Sequence, residues 1–315
     1  MREVSLADTV VGMDTTKTTD NSGEEFPGRL LWPNFGGPSE SGRVWAKLIT
    51  VPDENTMLAG AWRLGVATHL AKAAISNLRR ATVSAVVFSG KLASGKDTVA
   101  SEVSKVLKER GLAEAVIHRT SDPMREELSR IIELIHLGGD HEAGVRLLVA
   151  EMGFREREAR YFTSYLFEST RGEKVSAETR TDANRHLLQY LADEGRRAYD
   201  PDYWVKKTFP LVLTDLAEGR SSFVSGGRYP NEIGPAQALG MVTVRLIVSR
   251  KVQEDRLRGR DGLAPNPKLL DDPNECALDD YAGFNLVVGN DNTITPTVEV
   301  VVNEVAAHAS RLYSA

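Results

Sequence analysis

The stretch Val83-Ser84-Ala85-Val86-Val87-Phe88-Ser89-Gly90-Lys91-Leu92-Ala93-Ser94-Gly95-Lys96-Asp97-Thr98 decides how this chain is read. Residues 83–89 are a short β-branched and aromatic run, the composition of a buried strand. A glycine-bearing loop follows, and then a predicted helix from about residue 96 to 110, stopped by Gly111. Strand, glycine loop and helix in that order suit an anion. Glycines at 90 and 95 let the backbone wrap closely around oxygens, the helix N-terminus points amides at them, and Lys96 supplies a cation. Gly90, Lys91, Ser94, Gly95, Lys96, Asp97 and Thr98 are therefore the expected phosphate-binding set. The general pattern has Ser or Thr directly after the lysine as a magnesium ligand. Here Asp97 takes that place, expected to approach magnesium directly or through water, and Thr98 is one step later.

The same reading extends outward. Further strands are predicted at 115–118, 222–225, 242–248 and 286–288. Between them, helices are predicted at 123–137, 142–151, 155–167, 181–194, 204–216 and 252–260, with a last one at 297–312. Alternating strands and helices imply an α/β fold: a central parallel sheet with helices on both faces, here with helical insertions, and ligands beyond the carboxyl ends of the strands. The organisation expected is a flexible N-terminal arm over residues 1–43, a strand and helix extension over 44–80, and the main domain over 81–315. In the extension, Leu58, Trp62, Val66 and Leu70 recur at helical spacing as an apolar stripe that packs on the main domain or forms a homodimer or partner interface.

Composition narrows the function classes. Hydrophobic residues make up 41% and charged residues 26%, ordinary for a soluble domain. A net charge of −5 argues against a globally basic nucleic-acid footprint. One cysteine, Cys276, excludes an intrachain disulfide. The apolar stretch over 57–75 carries Arg63, His69 and Lys72, too polar to span a bilayer, and no secretory leader is visible, so a cytoplasmic protein is expected. The histidines have no metal-ligand spacing.

Ser94-Gly95-Lys96-Asp97-Thr98 resembles the loop of the phage-type deoxynucleoside monophosphate kinases, which also carry Asp after the lysine. Three segments look similar in the expected order: Ser121-Asp122-Pro123-Met124-Arg125; Leu187-Leu188-Gln189-Tyr190-Leu191 continuing through Arg196-Arg197 to Asp200-Pro201-Asp202-Tyr203-Trp204; and Gly227-Arg228-Tyr229-Pro230-Asn231-Glu232. A weaker match is Leu278-Asp279-Asp280-Tyr281 with Val288-Gly289-Asn290-Asp291. The resemblance covers about residues 82–315 and implies a P-loop kinase fold, ATP and magnesium as cofactors, and, for a phage-encoded chain, the host cytoplasm. It implies transfer of the γ-phosphate to a deoxynucleoside monophosphate. The alternatives are transfer to a hydroxymethylated base in DNA, such as 5-hydroxymethyluracil, and a non-catalytic nucleotide-binding module.

Phosphoryl transfer depends on positioning and charge stabilisation, for which arginine forks are suited. Arg125, Arg196 (with Arg197 beside it) and Arg228 are the candidates for the acceptor phosphate. Gln189 is the candidate for a base edge. Asp122 is read either as an acceptor-orienting acid or as a helix cap before Pro123. Arg256 and Arg260, four apart on a charged helix before the loop at 261–267, are read as lid arginines, and Asn290 as lining the adenine pocket by resemblance. One departure stands out: the family commonly has an acidic residue two places before the arginine of the third motif, and this chain has Gly226.

Overall fold

The computed structural model describes residues 44–46, 51–81, 83–111, 114–169, 182–261 and 270–314, all within one compact unit spanning 38–315. The arm over 1–43 and most of the predicted loop over 261–267 lie outside the described residues. In chain order the elements are β1 (Val44–Ala46), α1 (Glu54–Arg63), α2 (Thr68–Arg79), β2 (Ala85–Gly90), α3 (Lys96–Glu109), β3 (Ala115–Arg119), α4 (Ser121–Gly138), α5 (His141–Met152), α6 (Glu156–Ser164) and α7 (Asp182–Tyr190). They continue with α8 (Tyr203–Ala217), β4 (Ser221–Gly227), α9 (Pro230–Ala238), β5 (Val242–Ile247), α10 (Arg250–Asp261), α11 (Pro273–Cys276), β6 (Leu286–Gly289) and α12 (Ile294–Ser314). Two π-helical turns, Tyr165–Ser169 and Leu191–Arg197, extend α6 and α7.

The sheet has six strands in the order β1-β6-β5-β2-β4-β3. Five are parallel, and β1 pairs antiparallel with β6. β2 lies between β5 and β4 and is buried along its whole length, as its run of Val, Phe and Ser predicts. Its pleat divides the core. Val86 and Phe88 face α3 and α12 in one cluster with Phe223, Val244 and Val301, the Phe88 and Phe223 rings 5.6 Å apart. Val87 and Val224 face the other side, toward Trp204, Val205 and Phe209 of α8. A second core, built on Leu128, Ile131, Phe162, Leu187 and Trp204, holds the helical insertion together.

One expectation is corrected, and one helix is added to those predicted. The stripe through Trp62, Val66 and Leu70 is two helices, broken at Gly65 with φ +74°. The buried face runs through Met57, Leu58 and Ala61, then Ala71, Ala74, Ile75 and Leu78, and Trp62 is 55% exposed. Helix α9 carries Gly234 and Pro235, whose low helix propensity masks it in the sequence.

Because the five strands run the same way, Gly90, Arg119, Gly227, Ile247 and Gly289 all end at one edge. The chain leaves β2 for β3 on one side and later crosses to β5 on the other. That edge, at β2, is where the strand order switches direction and where a crevice forms in open parallel sheets.

Candidate functional site

The loop after β2 is built from the backbone up. Gly95 has φ +87°, and a Cβ there would sit 2.6 Å from Asn290 Nδ2. At Gly90 a Cβ would meet Ser94 Oγ at 2.4 Å. Both positions need the missing side chain for close approach. Ala93 holds φ +60°, a left-handed conformation that costs a residue with a Cβ about 1–2 kcal/mol. Such strain persists when the surroundings fix it, and here they do. Gln253 Nε2 donates to Leu92 O at 2.7 Å, the Arg256 guanidinium donates to Ala93 O and Ser94 O, each at 3.3 Å, and Asn290 Nδ2 donates to Ser94 O at 2.8 Å.

The loop carbonyls are thus taken up by α10 and the loop after β6. Among the described residues, the amides of Gly95, Lys96, Asp97 and Thr98 have no acceptor. Lys96 is half-buried. Burial pushes its ammonium below the ordinary lysine range, and the nearby Arg228 charge adds to that; Asp97 and Glu275 offset part of it. No carboxylate lies in ion-pair range of Lys96 among the described residues. Ser94 is fully buried and its hydroxyl has no partner. A desolvated cation without a counter-ion, set against unpaired amides, is an arrangement that an anion completes.

Carboxylates lie around this mouth. Asp97 Oδ1 accepts from Ser225 Oγ at 2.5 Å and lies 4.0 Å from Arg119 Nε, and its side chain is half exposed. Glu275, buried on α11, accepts from Leu92 N at 2.6 Å and pairs with Arg228 at 2.9 Å. Asp279 pairs with Lys91 at 2.5 Å and with Arg245 at 3.0 Å. Arg245, buried on β5, also donates to Ser89 Oγ at 2.9 Å. Among the described residues no set of three or more His, Cys, Asp or Glu could cage a metal unaided. One exposed acid, Asp97, suits magnesium that arrives already bound to phosphates and waters.

On the other side, Arg228 follows β4. Its backbone amide donates to Glu232 Oε2 at 2.6 Å. Glu232 Oε1 takes Arg197 at 3.1 Å, Arg197 also reaches Asp193 at 2.9 Å, and its guanidinium lies 4.2 Å from the Tyr229 ring centroid. Burial pushes the Tyr229 hydroxyl up to about 12, and that hydroxyl donates to Asn274. It is Arg197, not its neighbour, that joins this network. Arg196 is ion-paired with Glu127, donates to Met152 O at 3.0 Å and stacks on Phe154 at 3.9 Å.

The remaining residues singled out in the sequence are dispersed. Asp122 does not cap the helix as weighed: α4 starts at Ser121 with Thr120 as its N-cap, and Asp122 Oδ2 accepts from Arg119 N, at the end of β3, at 3.1 Å. Arg125 is half-buried, the fifth residue of α4. The Gln189 amide, half-buried on α7, makes no hydrogen bond among the described residues. Thr98 is exposed, and Arg260 is exposed at the end of α10. Arg256 is occupied as a clamp on the loop carbonyls rather than raised over it, and Asn290 is buried with its amide committed to Ser94. Gly226 has φ +115°, and a Cβ there would lie 2.5 Å from Thr120 Oγ1. The positive φ and the Thr120 hydroxyl together disfavour an acidic side chain at that position.

Sequence reasoning missed Glu275, Arg245 and Gln253. Glu275 lies three residues before the Leu278–Tyr281 motif, and a buried arginine in the strand over 242–247 is the one signal that marked anything unusual. Among the described residues, no helix is long and apolar enough to cross a membrane.

No protein-family model matches the chain. It is 28% identical over 104 residues to a protein of Ictalurid herpesvirus 1 (strain Auburn) named "Uncharacterized protein ORF77". The match covers 31% of this chain and 45% of that protein, so the chain spans less than half the length of this viral relative.

Proposed function

We propose that this chain is a phosphotransferase of the P-loop kinase type, which binds ATP at the loop after β2 and passes its γ-phosphate to a deoxynucleoside monophosphate. The observation that carries the reading is Lys96: half-buried, depressed by burial, without a carboxylate partner, and beside four amides without acceptors. The strand order, with β2 at the switch point, supports the same assignment.

In this reading the amides of residues 95–98 hold the donor phosphates and Lys96 offsets charge on the β- and γ-oxygens. Arg228, at the end of the neighbouring strand β4, spans the γ-phosphate in transfer and the acceptor phosphate that receives it, and the Glu232–Arg197 pair fixes the backbone that carries it. The acceptor phosphate oxygen forms the new P–O bond as the bond between the γ-phosphorus and the bridging oxygen breaks, leaving ADP with that electron pair. Positioning and charge stabilisation supply most of the rate. Magnesium carried with the triphosphate would meet Asp97 and neutralise oxygens that Lys96 leaves unpaired.

The test is γ-labelled ATP with each free deoxynucleoside monophosphate, and with plain and hydroxymethylated DNA. Label in a nucleoside diphosphate is expected. Label only in DNA refutes the acceptor assignment, and no transfer to any acceptor, with ATP bound, points to a non-catalytic module.

A further inference from the structure

The mouth of the loop is faced by a carboxylate that no motif marks. Glu275 places one oxygen on the Leu92 amide at 2.6 Å and the other on the Arg228 guanidinium at 2.9 Å, and its side chain is 7% exposed. Lys96 is close enough to feel its charge. One loop amide, one arginine and a nearby lysine are the donors a phosphate would take, and a carboxylate and a phosphate offer them the same kind of paired oxygens. Asp279, the next acid along, is already shared between Lys91 and Arg245, so Glu275 is the group that neutralises Arg228.

We propose that Glu275 stands in for a phosphate oxygen in the nucleotide-free site, and that an incoming polyphosphate displaces it and takes over Arg228 and the Leu92 amide. The inference rests on the reading of the loop as a polyphosphate site. Like charges this close repel strongly in a half-desolvated mouth, so carboxylate and polyphosphate compete for the same donors. The element that carries Glu275 suits such movement. Helix α11 is a single turn of four residues, capped by the Asp272 side chain on Asn274 N at 2.9 Å, and one turn has little cooperative rigidity. Asn274 on that turn also donates to Asp193 at 3.0 Å and accepts from Tyr229, so a shift of Glu275 reaches the helical insertion as well.

Calorimetric titration of the full chain with inorganic tripolyphosphate, and separately with ATP, tests this. Glu275→Gln keeps the shape and can still accept from Leu92, but gives up the charge. It is expected to bind both probes about tenfold more tightly than the wild type, the equivalent of ~1.4 kcal/mol. Asp279→Asn removes an equal charge from the same region and is expected to gain less than about threefold, since Asp279 holds Lys91 and Arg245 rather than Arg228 or the Leu92 amide. Glu275→Ala should move in the same direction as Glu275→Gln and serves if that variant fails to fold. Unchanged or weaker binding by both Glu275 variants, or an equal gain from Asp279→Asn, overturns the proposal. If the Glu275 variants show no gain while the wild type binds and Lys96→Ala does not, the inference falls and the donor-site reading stands. If neither the wild type nor Glu275→Gln binds either probe, the reading and the inference fall together.

Discussion

Replacing Gly226 with alanine should destabilise the protein measurably, and the cost can be worked from the backbone. At φ +115° an L-residue is strained, and positions of that kind cost about 1–3 kcal/mol. The new Cβ would lie 2.5 Å from Thr120 Oγ1, so the threonine must turn away. Doing so gives up its hydrogen bond to Gly226 O, 3.0 Å long and part-buried, for about another 1 kcal/mol. The expected total is about 2–4 kcal/mol, a fall of roughly 5–10 °C in Tm for a chain of this size. Thr120→Ala alone should cost about 1 kcal/mol. The double variant should cost less than the sum by ~1 kcal/mol, because the clash is gone and the hydrogen bond is lost only once. Urea and thermal unfolding of the four proteins measure the cycle. A Gly226→Ala protein as stable as the wild type, or single costs that add within ~0.5 kcal/mol, refutes the claim that conformation disfavours a side chain here.

Other outcomes follow from the same geometry. The pKa of Lys96 is lowered on folding, so between its folded value and the ordinary 10.5 the unfolded chain holds more protons, and stability rises with pH across that window. Lys96→Met should flatten that slope and raise the Tm of the free protein, on the order of 1 kcal/mol, while abolishing ATP binding; a less stable variant contradicts the idea that Lys96 is held at a cost. Arg256→Lys loses the fork that spans Ala93 O, Ser94 O and Asn290 O, and ATP affinity should fall about tenfold in calorimetry with little change in Tm. Asn290→Ala leaves Ser94 O without its 2.8 Å bond and should cost about 1–2 kcal/mol in urea unfolding.

The sheet was legible because its strands are local signals. Residues 83–89 read as a strand and β2 is Ala85–Gly90; 242–248 read as a strand and β5 is Val242–Ile247. Burial on both faces makes such runs continuously apolar, and that needs no tertiary information. The split at Gly65 was hidden because apolar residues on either side keep a helical period through the break. The π-helical turn Leu191–Arg197 was hidden too, and Arg197, its last residue, is the one of two adjacent arginines that reaches Glu232. In the site, the loop residues were legible because glycine spacing is a backbone requirement. The groups that hold the loop were not: Gln253, Arg256 and Asn290 act on carbonyls some 160–200 positions earlier in the chain. Nothing in local composition distinguishes a loop clamp from a lid arginine.

The central claim is that the loop at 90–98 binds the polyphosphate of a nucleotide through Lys96. Calorimetric titration of magnesium-ATP into the full chain and into folded Lys96→Ala tests it most directly. The account predicts saturable one-to-one binding by the wild type and a loss of at least about 100-fold, ~2.7 kcal/mol, in the variant. Binding of equal strength by both proteins, or no binding of ATP by the wild type, would contradict it.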